Sequence, residues 1–300
     1  MSENQINNNP KTSAETGSAE QPTAHEGAVE PKAEIKTQHT LYAEPIANIG
    51  GFTVTNSLLS SWIVLIIILC ASLALRKRIK MIPGRAQSIF EMLIDQVMQM
   101  FDTVTGSREK TKQIAPLIFT FFFFILINNW FGLLPGVGSF GQVIKVHNEL
   151  EFVPYLRGAT ADLNTTLALA AIGLVVSNIF GIMAVGASKH FNKFINIKTL
   201  LEIPKKIKND WTVILVNPIN VFIGLVETIS EVAKGASLSL RLYGNIFAGE
   251  VLLASISGML AFGLPLPFMA LEIFVGLVQA FIFSILVLVY ITLHTSHEEH

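Results

Sequence analysis

Five long apolar runs dominate this 300-residue chain and restrict what it can become. They cover 58–75, 114–134, 167–185, 211–262 and 266–293, and the last two are separated by the turn-forming Gly263-Leu264-Pro265-Leu266-Pro267. At about 1.5 Å rise per residue each can reach across a hydrocarbon core of about 30 Å. Apolar residues make up 51% of the chain and charged residues only 14%, with a mean hydropathy of +0.53, too apolar for an ordinary soluble domain. The expected fold is therefore an all-α integral membrane protein of about five to six hydrophobic helices, the last two long and tilted. A single cysteine, Cys70, excludes a disulfide framework and a Cys-rich zinc module. A net charge of −1 gives no basic footprint for nucleic acid.

Residues 1–45 read as a disordered polar tail and 46–300 as the membrane domain. The tail is rich in Asn, Glu, Ala, Thr and Ser and has almost no large apolar side chains, so it cannot offset its ordering entropy. It lacks the apolar core of a signal peptide and is too acidic for a transit peptide. Beyond the first span, Ile89, Phe90, Leu93, Val97, Met100, Phe101 and Val104 recur at helical spacing among Glu91, Asp95 and Asp102. That pattern predicts an amphipathic helix at the membrane surface or against a partner protein.

Charge in the loops suggests an orientation. Segment 76–112 holds eight basic residues and 189–208 holds six, whereas 136–162 has only Lys145 and Arg157. Positive-inside reasoning puts the first two on the cytoplasmic side, the N-terminus outside and the C-terminus in the cytoplasm.

The fourth run carries an unusual set of polar residues: Glu227, Glu231, Lys234, Ser237, Arg241, Asn245 and Glu250. Ionisable groups at membrane depth cost about 2.5–3.5 kcal/mol each on insertion scales, which calls for a functional reason. With Arg241 at zero and 100° per residue, the first six share a stripe about 120° wide. Glu250 falls on the opposite face, about 13.5 Å along the axis. Ser237 and Asn245 fit simple interhelical hydrogen bonding. Arg241 does not, because no acid stands three or four positions away on its helix. Gly235, Gly244, Ala248 and Gly249 flank it and are expected to let another helix approach the guanidinium. On the last helix Glu272 and Gln279 lie seven apart, near one face, so a fold-back would let Glu272, Gln279 and Glu250 line one polar cavity.

These residues resemble the a subunit of F-type ATP synthase. The resemblance rests on Ser237-Leu-Ser-Leu-Arg241-Leu-Tyr-Gly-Asn245-Ile-Phe-Ala-Gly-Glu250, supported by Gln279-Ala-Phe-Ile-Phe283, Ile114-Ala-Pro-Leu117 and Ala161-Asp-Leu-Asn-Thr-Thr166, in order from about residue 50 onward. It implies an ion-translocating stator subunit, not itself an enzyme and without cofactor or metal. Its implied partners are a ring of c subunits, the b subunits of the peripheral stalk and the rest of the synthase, and its implied place is the bacterial inner membrane. Two offset aqueous half-channels would carry H+ or Na+ to and from the ring. Arg241 matches the essential arginine, whose charge favours the ionised form of each arriving ring carboxylate and blocks direct leakage between the channels. Glu250 and Gln279 match positions of the outer half-channel and beside the arginine. Glu272 falls where members have His or Glu, giving a carboxylate pair able to share a proton. Asn245 and Ser237 match positions near the arginine, and Glu227 and Lys234 resemble the cytoplasmic channel wall. The chain departs from many bacterial relatives at Gly132, where they carry an acid; Asn128, Asn129 and Asp162 are the candidates for its role.

Two other readings use the same residues. In a self-contained transporter, Arg241 would clamp a substrate carboxylate, but no internal duplication is visible. In an assembly subunit, the polar stripe would only bind helices. Several weaker signals are set aside. Gly136-Val-Gly-Ser-Phe-Gly141 fits a dinucleotide pattern but follows no strand, and no phosphate-binding loop with Lys and Ser/Thr is present. His297-Glu-Glu-His300 lacks the zinc spacing, and Asn164-Thr-Thr166 is a sequon better read as a helix start.

Overall fold

The computed structural model describes residues 42–80, 82–134, 136–146, 149–188, 190, 212–259 and 263–295. Most of the expected tail, the expected basic loop at 189–208 except His190, residues 211 and 260–262, and the end at 297–300 lie outside these. In order come β1 (Pro45–Ile49), β2 (Phe52–Thr55), α1 (Asn56–Arg78), α2 (Arg85–Thr105), α3 (Arg108–Phe131), β3 (Gly141–Val146), β4 (Glu149–Pro154), α4 (Leu163–Val185), α5 (Thr212–Met259) and α6 (Pro265–Thr295). Five helices among the described residues are long and apolar enough to cross a membrane: α1, α3, α4, α5 over Phe222–Met259, and α6. The chain is a multi-pass, all-α membrane protein, with two small hairpins among its described residues.

Local chemistry sets the helix ends. The Thr55 hydroxyl accepts from the Leu58 amide to start α1, and Arg76, Lys77 and Arg78 close its last turn, where cations suit the helix dipole. Gly106, at φ 71°, terminates α2. The Asp162 carboxylate accepts from the Asn164 and Thr165 amides and starts α4, so the Asn164 sequon is indeed a helix start. α3 begins at Arg108, six residues before the apolar run, because its first turns are charged. The amphipathic reading of 89–104 corresponds to α2, whose Val97, Phe101 and Val104 pack on the core. Its Ile89, Phe90, Met92 and Leu93 remain exposed. Arg108 ties α3 to α2 through Asp95 at 2.8 Å and Asp102 at 2.7 Å.

The core forms where α3, α4, α5 and α6 meet. Ile118, Phe121 and Ile125 face Phe283, Leu288 and Ile291, with Ala170, Leu238 and Leu242 completing the cluster. Phe121 and Phe283 have ring centroids 5.8 Å apart. Lipid is as apolar as these side chains, so their association relies on close packing and interhelical hydrogen bonds. Asn129 donates to the Gly276 carbonyl at 2.9 Å, and Trp130 to that of Ile273 at 3.0 Å. Trp62, Leu65, Ile66 and Leu69 of α1, by contrast, are exposed, as lipid-facing residues should be.

The hairpins β1–β2 and β3–β4, both antiparallel, have no counterpart in the expected organisation. Their strands have four to six residues, and their pattern is drowned by the apolar runs beside them. At about 1.5 Å per residue, the 48 residues of α5 make a helix about 72 Å long.

Candidate functional site

Polar groups gather at two ends of the helix bundle, with Arg241 between them. The first group surrounds a cavity of about 510 Å³ under the hairpins, lined among others by Glu44, Asn56, Asn129, Gly132, Arg157, Glu250 and Glu272. Glu250 and Glu272 thus share one cavity, as the expected fold-back of the last helix requires. Arg157 holds Glu250 with Nε 3.1 and 3.2 Å from its two carboxylate oxygens and Nη2 2.8 Å from Oε2. The arginine side chain is 6% exposed and the glutamate 28%. Glu272 is buried, with an Oε1 that finds no hydrogen-bond partner among the described residues. Its carboxylate sits where a side chain at residue 249 would be, so Gly249 makes its place on α5.

Gly132 lines the same cavity. A Cβ there would meet the Gly158 Cα at 3.3 Å, so a side chain at this position would press the helix end against the segment before α4 and require a small shift between them. Of the three candidate replacements, Asp162 is engaged in capping α4, with its Oδ1 also accepting from the Ala43 amide. Asn128 donates to the Phe124 carbonyl. Only Asn129 lines the cavity.

Gln279 is not in the cavity wall. It lies two turns deeper on α6, where its Oε1 accepts from Asn245 at 2.7 Å and joins α6 to α5 one turn past Arg241. Arg241 itself is exposed on α5, and among the described residues it has no carboxylate in ion-pair reach. Ser237, one turn before it, is exposed as well.

The second group lies at the opposite end. Glu231 accepts from Lys234 at 2.8 Å, and its other oxygen is 3.0 Å from Nε2 of His294 on α6. The His294 Nδ1 is 2.7 Å from the Ser177 hydroxyl on α4. His190 Nε2 is 2.9 Å from the Asn178 side-chain oxygen. Glu227 stands half-buried one turn before Glu231. Along α5, Glu231 lies about 15 Å from Arg241 and Glu250 about 13.5 Å on the other side.

The stripe read from the sequence therefore straddles the edge of the bundle. Leu238, Leu242 and Ile246 mark the buried face of α5, about 60–140° from Arg241. Glu231, about 80° away, turns inward, while Ser237 and Arg241 stay outside. The same geometry corrects the expectation for the small residues. Gly244 and Ala248 do lie on the exposed face, and a Cβ at Gly244 would meet nothing within 4 Å. Gly235 and Gly249 instead face the chain's own helices, against Leu174 and Glu272.

Sequence reasoning did not select Arg157, which carries no motif; its one signal was being a rare base in an acid-flanked loop. It also passed over His294, although an imidazole near the end of an apolar run is itself unusual.

The ATP synthase A chain family matches residues 58–292. Among curated relatives, the ATP synthase subunit a of Syntrophobacter fumaroxidans is 30% identical over 253 residues, covering 84% of this chain and 89% of its own length. That of Mycobacterium marinum is 34% identical over 255 residues, covering 83% and 90%. That of Moorella thermoacetica is 28% identical over 248 residues, covering 82% and 93%.

Proposed function

This chain belongs to the ATP synthase A chain family, the a subunit of the F-type enzyme, and from that premise we propose that it conducts H+ or Na+ past a ring of c subunits through two half-channels separated by Arg241. The cavity with Glu250 and Glu272 is the mouth on the outer side. The Glu231 end serves the cytoplasmic side, with Glu227 and Lys234 in its wall. This orientation is supported by α1, which starts at the cavity with Asn56 and ends in Arg76-Lys77-Arg78. Positive-inside reasoning places that basic end in the cytoplasm, of a bacterial inner membrane.

The observation that carries this reading is the exposed guanidinium of Arg241, unmatched by a described carboxylate and midway between two polar ends. Gly244 and Ala248 keep the surface beside it low, which suits a passing ring helix. An ion entering by the cavity passes Glu272 and Glu250 to a ring carboxylate, and the ring carries it round. On reaching Arg241, that carboxylate is favoured in its ionised form and lets the ion go toward the cytoplasm. The Asn245–Gln279 bond fixes α6 against α5 one turn away, and Ser237 offers the ring a hydroxyl. A charge crossing 100 mV supplies about 2.3 kcal/mol, so several steps accumulate as rotation for each ATP made in the attached head. The b subunits hold the a subunit still against the ring.

Arg241→Ala tests this in membrane vesicles. Ion-driven ATP synthesis should vanish while the complex, checked by native gel, still assembles. Wild-type coupling in that variant would overturn the proposal.

A further inference from the structure

The outer end of the bundle holds a buried cation that is tied down at both root and tip. Arg157 is 6% exposed, and its guanidinium grips an acid 93 residues away, Glu250. At the root, the Arg157 amide donates to the buried Ser60 hydroxyl of α1 at 3.2 Å. Gly158 follows, packed against Gly132 at the end of α3. Next comes the buried 3-10 turn Ala159–Ala161, which leads into the Asp162 cap of α4. Three helices thus fix where the side chain starts, and a fourth, α5, carries what it holds. Buried ion pairs are often no more stable than apolar packing of the same volume, so stability alone does not account for one here.

The grip is lopsided. Oε2 of Glu250 takes Nη2 at 2.8 Å and Nε at 3.2 Å, whereas among the described contacts Oε1 takes Nε alone, at 3.1 Å. A carboxylate offers about four acceptor sites, so the spare one lies on Oε1. We propose that Arg157 is a positioning residue of the outer half-channel, holding Glu250 so that Oε1 receives the ion entering through the cavity. The inference rests on the half-channel reading above and adds a residue to its outer end. A glutamate side chain is rich in rotamers, and an unclamped Glu250 would spread its oxygens over several places. The rigid guanidinium fork keeps one oxygen at one place, and holding a receiving group in place is worth large factors in rate. Glu272 in the same cavity has no such clamp, and its Oε1 has no partner among the described residues. The cavity therefore combines one held acid with one free acid.

Among the described residues, the charged groups beside the pair are Glu44, before β1, and Glu272 of α6, which line the same cavity. Tyr243, two turns before Glu250 on α5, lies within electrostatic reach of Arg157, Glu250 and Asp162. From α1 and α3 the cavity receives the uncharged Asn56 and Asn129.

The test uses vesicles carrying the whole synthase with the catalytic head outward, so that the outer cavity opens to the lumen. ATP synthesis is measured at fixed voltage while lumenal H+ is varied, with lumenal Na+ varied in a parallel series. Arg157→Gln should raise the half-saturating concentration of the driving ion about tenfold, within the loss that a misplacement of about 1 Å can cause. Assembly and the saturated rate should change little. A residue that only braced the fold would lower the yield of complex or the saturated rate and leave half-saturation in place. Arg157→Lys keeps the charge without the rigid fork. It should fall between wild type and Arg157→Gln, and it carries the test if Arg157→Gln assembles poorly. On the Glu250→Gln background, Arg157→Gln should add no further rise, because the group it positions is already gone. A second, multiplying rise there, or wild-type half-saturation in the Arg157 variants that assemble, would overturn the proposal. Arg241→Ala in the same vesicles separates the two ideas. If it loses coupling while the Arg157 variants keep wild-type half-saturation, only the positioning role falls; if it keeps coupling, the half-channel reading falls.

Discussion

Gly249 offers the sharpest test of the cavity end, because one atom placed there competes directly with Glu272. A Cβ at residue 249 would occupy the position of the Glu272 carboxylate, whereas at Gly258, nine residues later on the same helix, a Cβ meets nothing within 4 Å. Gly249→Ala therefore has to displace a carboxylate, but the displaced group is the far end of a flexible side chain bordering a cavity of about 510 Å³. The backbone need not move. Forcing a side chain off its rotamer costs about 0.5–1.5 kcal/mol. If the ion has to meet the carboxylate where it now sits, that translates into a rate reduction of roughly 2- to 13-fold. Assembly should be hardly affected, since overpacking of a tight core, at about 1–3 kcal/mol, is not what happens here. The assay is ATP-driven ion pumping in inverted vesicles, with Gly258→Ala as a control for the loss of a helical glycine away from Arg241. Glu272→Asp on the Gly249→Ala background shortens the acid by one methylene and should recover part of the rate. If Gly249→Ala pumps like Gly258→Ala, or Glu272→Asp makes the double variant additively worse, the proposed positioning of Glu272 by Gly249 is refuted.

Two further outcomes are expected. Glu250→Gln and Glu272→Gln should each slow translocation less than Arg241→Ala, and the double change should cost less than the sum, because the two acids share one cavity; additive losses in vesicle pumping would contradict this. At the α2–α3 junction, the hydrogen bond from Arg108 holds the Asp95 carboxyl below its ordinary value. A depressed carboxylate contributes stability that is full above its ordinary pKa and is lost as pH falls through the lowered value. Amide exchange in α2 should therefore quicken below about pH 4, the ordinary carboxylate range, and Arg108→Gln should abolish that acid step; an unchanged step would exclude the pair as its cause.

The spans, the interfacial pattern of α2 and the placement of Arg241 on an unpaired surface were legible in the sequence because each is a local or periodic property. Apolar run length fixes a crossing, and the absence of acids at helical spacing leaves Arg241 without a neighbour on its own helix. What was not legible is which side of an edge a residue falls on. A helical wheel gives relative angles, but the zero of the bundle is set by which faces α4 and α6 cover. Glu231 and Ser237, about 120° apart, were read as one stripe, and the structure turns one inward and leaves the other out. Gly235 and Gly249 were assigned to an external partner for the same reason. Arg157 and His294 were missed because their meaning is tertiary: each is defined by an acid that lies 93 residues away for Arg157 and on another helix for His294.

Two cations, Lys234 and Arg157, also explain how Arg241 stays open. At an effective dielectric of about 20, a free carboxylate some 14 Å away would attract a guanidinium by about 1 kcal/mol, and side chains of this length can close part of that gap. Glu231 and Glu250 flank Arg241 along α5 at about 15 and 13.5 Å. Each is already matched by a nearer cation, Lys234 in one case and Arg157 in the other, at 2.8 Å. A paired carboxylate presents a dipole rather than a charge, so its pull on Arg241 falls away more steeply with distance. These two acids of the chain are thereby withheld from the arginine. Under the proposed function, this is what leaves the guanidinium for an acid that arrives from outside the chain and must leave again, since a permanent internal partner would have to be displaced at every step of the ring.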